Sequence, residues 1–188
     1  MSESPPGRVI TVRRRNLPHW ETEEGTYFVT FRLADSLPID VARRIASRKR
    51  FHLLADRFLD RGWGARYLRD PRCARIMESA LRFFDGQRYR LHAYVVMPNH
   101  VHLSFKTFPG FSVSSVVHSW KGYSGKQINA TIGRSGPLWQ TEPYDSLIHD
   151  ANDLRRTVEY IVRNPIKAKL VDWPWVGVLD TNFKFRES

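Results

Sequence analysis

At 188 residues the chain has room for one domain with a proper core, and no apolar run approaches the roughly eighteen residues of a membrane span. One cysteine, Cys73, excludes an internal disulfide framework. Thirty Lys and Arg against nineteen Asp and Glu leave +11, an excess that points to a polyanionic partner. Nucleic acid leads over an anionic membrane, because the arginines are spread among aromatics and helical stripes rather than gathered in one block.

Residues 1–16, with Arg13, Arg14 and Arg15, read as a basic flexible N-terminal arm, and the first seven lack the apolar core of an export signal. Residues 26–33, rich in aromatic and β-branched types, predict the first strand. Pro38 opens a helical segment to about residue 60 that carries Arg43, Arg44, Arg48, Lys49 and Arg50. At Asp70-Pro71 an N-cap is followed by a proline in the first helical position. The stripe Cys73, Ile76, Met77, Ala80, Leu81 and Phe84 then keeps the 3.6-residue period. Between Asp40 and Arg90 there are fourteen basic and six acidic side chains, so +8 of the charge lies there, as a solvated face or as a phosphate-contacting one.

Residues 88–97 and 100–106 predict an antiparallel hairpin. Residues 111–131 predict a helix with Val113, Val116, Val117, Trp120 and Ile128 inward, and with Lys121 and Lys126 on its polar side. Arg134 sits in the loop 133–137, and a fourth strand is expected before His149. Asp150 caps a last helix over residues 151–164, which Pro165 is expected to stop. The tail, residues 172–188, is expected to pack Trp173 and Trp175 back on the domain. Trp63, Trp120 and Trp139 are open to two readings, base stacking or packing.

The most informative stretch is Met97-Pro98-Asn99-His100-Val101-His102-Leu103-Ser104-Phe105. Beyond Pro98-Asn99, alternation puts His100, His102 and Ser104 on one side and Val101, Leu103 and Phe105 on the other. The apolar side can seat the strand while two imidazoles grip a divalent cation; idle surface histidines are the competing reading. On the last helix Leu154, Val158 and Ile161 form the buried stripe, and Tyr160 and Asn164, four apart, share a flank. Docked near the histidines, that helix would gather two imidazoles, a phenol and an amide oxygen.

Such a cluster suits phosphoryl transfer. With a divalent ion on His100, His102 and the Asn164 oxygen, the Tyr160 oxygen can attack phosphorus. A phenol with a pKa of about 10 also leaves more readily than a sugar alkoxide, so the link is reversible.

These residues carry a family resemblance. Met97 to Leu103 resembles the His-hydrophobe-His (HUH) motif of single-tyrosine transposases acting on single-stranded DNA, and Tyr160-Ile161-Val162-Arg163-Asn164-Pro165 is similar to the helix bearing their nucleophile. Leu17-Pro18-His19-Trp20, Tyr27-Phe28-Val29-Thr30-Phe31-Arg32-Leu33 and Gly136-Pro137-Leu138-Trp139-Gln140 resemble the REP-associated tyrosine transposases, a branch linked to repeated extragenic palindromes.

Over residues 17–171 the resemblance implies an α+β fold of HUH endonuclease type: a ferredoxin-like antiparallel sheet, helices packed on one face, and a basic helical insert at about 40–86. It implies Mg²⁺ or Mn²⁺ held by His100, His102 and Asn164, and nicking and strand transfer at hairpin-forming repeats through a 5′-phosphotyrosine on Tyr160. Arg13, Arg14, Arg15, Arg43, Arg44, Arg48, Lys49, Arg50, Lys121, Lys126, Arg134 and Arg163 are the DNA-binding candidates. The expected setting is a cytoplasmic protein, nucleoid-associated on DNA, monomeric or homodimeric, with no membrane partner. A catalytically idle hairpin-binding module and a metal-dependent hydrolase using water remain the alternatives.

Overall fold

The computed structural model describes residues 9–14, 18–22, 24–36 and 64–180, with side-chain environments for 24–36 and 64–180. The expected helix at 38–60, Arg15, Trp63 and the basic residues Arg43, Arg44, Arg48, Lys49 and Arg50 lie outside the described residues. No helix among the described residues is long and apolar enough to cross a membrane.

Among the described residues seven strands form two sheets. Val9–Arg14 (β1), expected in a flexible arm, pairs antiparallel with Pro18–Thr22 (β2). The main sheet contains Thr26–Arg32 (β3), Tyr89–Val96 (β4), His100–Thr107 (β5), Tyr144–Leu147 (β6) and Val176–Val178 (β7) in the order β6-β3-β5-β4-β7, with antiparallel pairing throughout. Pro71–Arg82 (α1) and Val113–Ile132 (α2) connect β3 to β4 and β5 to β6, and Ala151–Lys167 (α3) follows β6. Strands β3 to β6 with α1 and α2 make the ferredoxin-like βαββαβ unit, and β5 lies at its centre.

Period-two alternation decides what each strand buries. Tyr27, Val29 and Phe31 of β3 and Val101, Leu103 and Phe105 of β5 meet Cys73, Met77 and Leu81 of α1 and Val116, Val117 and Trp120 of α2 in one core. The indole of Trp120 donates to Tyr89 Oη at 2.9 Å, and Tyr89 donates to the Leu81 carbonyl at 2.8 Å. Trp139 stands edge-on to Phe31 and donates to Ser124 Oγ at 3.0 Å. Both tryptophans are packing residues, each indole N–H satisfied inside the core.

A bulge in β4 between Leu91 and Ala93 resets the alternation. Tyr89, Leu91, Tyr94 and Val96 therefore face the large core, while Ala93, Val95 and Met97 face Val158 and Ile161 of α3 on the opposite side. Single-face packing thus holds for α1 and α2, and α3 covers the other face, the one to which β5 turns its histidines.

Asp70 and Asp150 cap their helices as the sequence predicts, and Ser112 caps α2. Asp70 accepts from Arg72 N–H at 2.9 Å, Ser112 from Ser115 N–H at 3.2 Å and Asp150 from Asp153 N–H at 2.8 Å. Pro165 does not stop α3. It is buried in the last turn, which Ala168 N–H closes on the Asn164 carbonyl at 3.0 Å while Leu170 N–H takes the Pro165 carbonyl at 2.9 Å. A proline lacks only the donor pointing back toward the N-terminus; its own carbonyl still serves the turn that follows. The tail does more than pack. β7 extends the sheet along β4, and Trp173 donates to the Val96 carbonyl at 2.8 Å. Gly177 is required there, since a Cβ would fall 2.4 Å from the Tyr94 ring.

Candidate active site

The Pro98-Asn99 turn, closed by Met97 N–H on the His100 carbonyl at 2.8 Å, sets the phase of β5. His100, His102 and Ser104 then turn away from the large core and are buried on the opposite face, where Tyr160 of α3 packs on His102. Opposite them on β3 the register gives Arg32 beside His100, Thr30 beside His102 and Phe28 beside Ser104. Directly opposed residues of an antiparallel pair share a face.

The two imidazoles point at each other, Nε2 to Nε2 at 2.9 Å. Their outer nitrogens are held. His100 Nδ1 is 2.7 Å from Asn99 Oδ1, and His102 Nδ1 is 2.7 Å from Thr30 Oγ1. An amide oxygen only accepts, so His100 carries its proton on Nδ1 and leaves a lone pair on Nε2; His102 then donates through Nε2, and its Nδ1 accepts from Thr30. Burial, with Lys167 adding a smaller repulsion, pushes the His102 pKa down to about 3. The ring is a neutral imidazole at any physiological pH.

Tyr160 and Asn164 arrive from α3. The half-buried Tyr160 ring stands edge-on to His102, centroids 5.4 Å apart, and to Phe28 at 5.8 Å, while Phe28 stacks on His102 at 5.6 Å. Lys167 places Nζ 4.5 Å from the centre of the Tyr160 ring. Asn164, one turn beyond Tyr160, is fully buried, and both atoms of its amide lack a partner. An unmet buried amide costs about 1–3 kcal/mol, a cost that a ligand would remove.

These donors fit a divalent cation. Two cis ligands of an octahedral ion at about 2.1 Å lie about 3 Å apart, the separation at which the Nε2 atoms are already set. Binding through both requires His102 to move its proton to Nδ1, and Thr30 can follow because a hydroxyl both donates and accepts. Among the described residues no three His, Cys, Asp or Glu side chains gather as a metal group; the neutral donors they offer on this side of the sheet are the two imidazoles and the unpartnered Asn164 amide.

Of the other candidates, Lys126 and Arg163 are exposed. Lys121 is tied down: Nζ donates to the carbonyls of Gln140 at 2.5 Å and Thr141 at 2.9 Å, and burial lowers its pKa to about 8. Arg134 pins its own loop through the Pro137 carbonyl at 2.9 Å and pairs with Asp35 at 3.3 Å. Arg13 and Arg14 lie in β1, with no side-chain environment described. Three members of the site escaped the sequence reading: Thr30, Arg32 and Lys167. Thr30 and Arg32 alternate with the apolar residues of β3, a signal that becomes legible only once the partner strand is known.

Residues 65–164 match the family model for IS200-like transposases, a segment that contains His100, His102 and Tyr160 and ends on Asn164. Among solved structures, a REP-associated tyrosine transposase bound to a REP hairpin aligns with a TM-score of 0.57 and 22% identity, over 89% of this chain and 82% of that one. A crystal structure from Deinococcus radiodurans R1 aligns with a TM-score of 0.39 and 15% identity, over 76% of this chain and 92% of that one. The first likeness shows the shared fold. No curated protein matches the sequence.

Proposed function

This chain belongs to the IS200-like transposase family and is a transposase-type DNA-processing protein; from that premise we propose that it nicks and rejoins single-stranded DNA beside a hairpin through Tyr160. The observation that carries the reading is the contact between Tyr160 and His102, rings 5.4 Å apart on elements distant in sequence. The solved structure with a bound REP hairpin supports hairpin-forming repeats as the DNA partner.

Tyr160 Oη forms a bond to phosphorus as the P–O3′ bond breaks. The phenolic proton leaves, the 3′ oxygen takes up a proton, and the 5′-phosphate stays on the tyrosine. An incoming 3′-hydroxyl reverses the step on a new strand end, with the phenolate as leaving group. Phe28 and His102 hold the ring edge-on, so that its hydroxyl has a fixed approach. Lys167 offers positive charge over the ring face as oxygen changes partners. His100, His102 and Asn164 would hold Mg²⁺ or Mn²⁺, which when bound draws charge from a non-bridging phosphate oxygen.

The test is a 3′-labelled oligonucleotide carrying a hairpin and single-stranded flanks, run on a denaturing gel with Mg²⁺ or Mn²⁺. A covalent adduct is expected with the unaltered protein and none with Tyr160→Phe, which should still bind. Cleavage that persists in Tyr160→Phe would place water in the nucleophile's role, and binding without any cleavage would make the chain an idle hairpin-binding module.

A further inference from the structure

Arg32 is a buried cation with no carboxylate partner among the described residues. It ends β3 directly opposite His100, on the face it shares with Thr30 and both imidazoles, and is only 7% exposed. Among the described residues no carboxylate pairs with it, and burial alone lowers its pKa to about 10. Nη1 donates to Ser36 Oγ at 3.1 Å and reaches the Leu33 carbonyl at 3.4 Å, while Nε–H is buried and donates to nothing.

An uncompensated buried charge costs several kcal/mol, and an apolar side chain of similar volume would fill the space without that cost. Packing therefore does not account for a guanidinium here. Nor is its open donor isolated. Of the five buried side-chain atoms left without a partner among the described residues, four belong to Arg32, Ser104 and Asn164, on the histidine face or the helix that covers it. With Nη1 engaged by the loop after β3, the other edge of the planar fork, Nε and Nη2, is the parallel donor pair that meets two oxygens of one phosphate.

We propose that Arg32 seats a backbone phosphate of the single-stranded DNA, binding it through Nε–H and Nη2 so that the phosphodiester lies against His100. Ser36 and the Leu33 carbonyl hold the guanidinium with that edge forward. The proposal rests on the reading of this face as a DNA-processing site, and is independent of the tyrosine chemistry.

The test uses the full chain carrying Tyr160→Phe, so that no covalent step intervenes, and the same hairpin oligonucleotide with single-stranded flanks. The slope of log Kd against log salt concentration should flatten by about 0.7, one single-strand phosphate contact, on adding Arg32→Gln, and should return with Arg32→Lys. A slope unchanged by Arg32→Gln, with only the melting temperature reduced, would overturn the proposal and leave Arg32 a loop anchor. Should Arg32→Gln fail to fold, the ¹⁵N–¹H signal of Arg32 Nε in the Tyr160→Phe chain decides: it should shift on addition of the oligonucleotide, and an unmoved signal overturns the assignment. An unaltered protein that forms no adduct while the Arg32 effect on the slope persists would sink the nicking and spare the phosphate seat; the opposite pair of results would do the reverse.

Discussion

Thr30 Oγ1 lies 2.7 Å from His102 Nδ1, across a strand pair whose register aligns the two residues directly. That hydroxyl donates when His102 Nε2 carries the proton and accepts when Nε2 must be bare. Thr30→Val removes both options, and Mn²⁺ affinity measured by titration should fall about 10–100-fold. Thr30→Ser should keep it, and equal affinity in Thr30→Val would show that His102 needs no partner.

Removing the ion tests the donor set itself. EDTA should abolish adduct formation and Mn²⁺ or Mg²⁺ restore it. Asn164→Leu should raise the melting temperature of the ion-free protein, because the two unmet amide atoms disappear from a buried site, while lowering Mn²⁺ affinity. A variant that loses stability and binds Mn²⁺ unchanged would remove Asn164 from the ligands.

Lys167 stands over the Tyr160 ring. A cation–π contact at an exposed site is worth about 0.5–1 kcal/mol, so Lys167→Gln should slow adduct formation roughly 2–5-fold with hairpin affinity unchanged. Lys167→Arg should retain the rate. An equal loss in both variants would mean that side-chain shape rather than charge is read.

Lys121 holds two carbonyls of the segment before β6. Lys121→Met leaves them unpaired at a cost of about 1–3 kcal/mol, a fall of roughly 2–10 °C in melting temperature for a domain of this size. The salt slope of DNA binding should not change. A flatter slope in that variant would return Lys121 to the phosphate contacts.

His92 sits at the β4 bulge, 3.0 Å from Asp180. Burial lowers its pKa below 6.5, outweighing the opposing pull of Asp180. The unfolded chain therefore binds this proton more readily than the native one, so the stability His92 contributes is full above about pH 6.5 and declines as pH falls below it. Chemical denaturation at pH 7.5 and pH 5 should show the unaltered protein losing more stability than His92→Gln, and equal losses would contradict the shift.

The hairpin and the helices α1, α2 and α3 were legible in the sequence because each rests on neighbours along the chain. Pro98-Asn99 sets the turn, alternation sends His100 and His102 to one side, Asp70-Pro71 starts a helix, and a spacing of four stacks Tyr160 with Asn164. The same local rules fell short at Pro165, where carbonyls from the preceding turn kept α3 going, and at Val9–Arg14, where a strand partner replaced an expected flexible arm.

Composition and periodicity by themselves determined a basic chain of strands and helices, with two imidazoles on one face of a strand and a phenol beside an amide on a helix. Tertiary structure alone decided that α3 lies over the histidine face, that Thr30 and Arg32 stand next to the rings, that Lys121 is tied to a loop, and that β7 lengthens the sheet. The physical reason is range. Side-chain direction within an element follows from backbone geometry a few residues long, whereas register between strands, and the burial that leaves Arg32 Nε–H without an acceptor, arise only when segments far apart in the chain exclude water together.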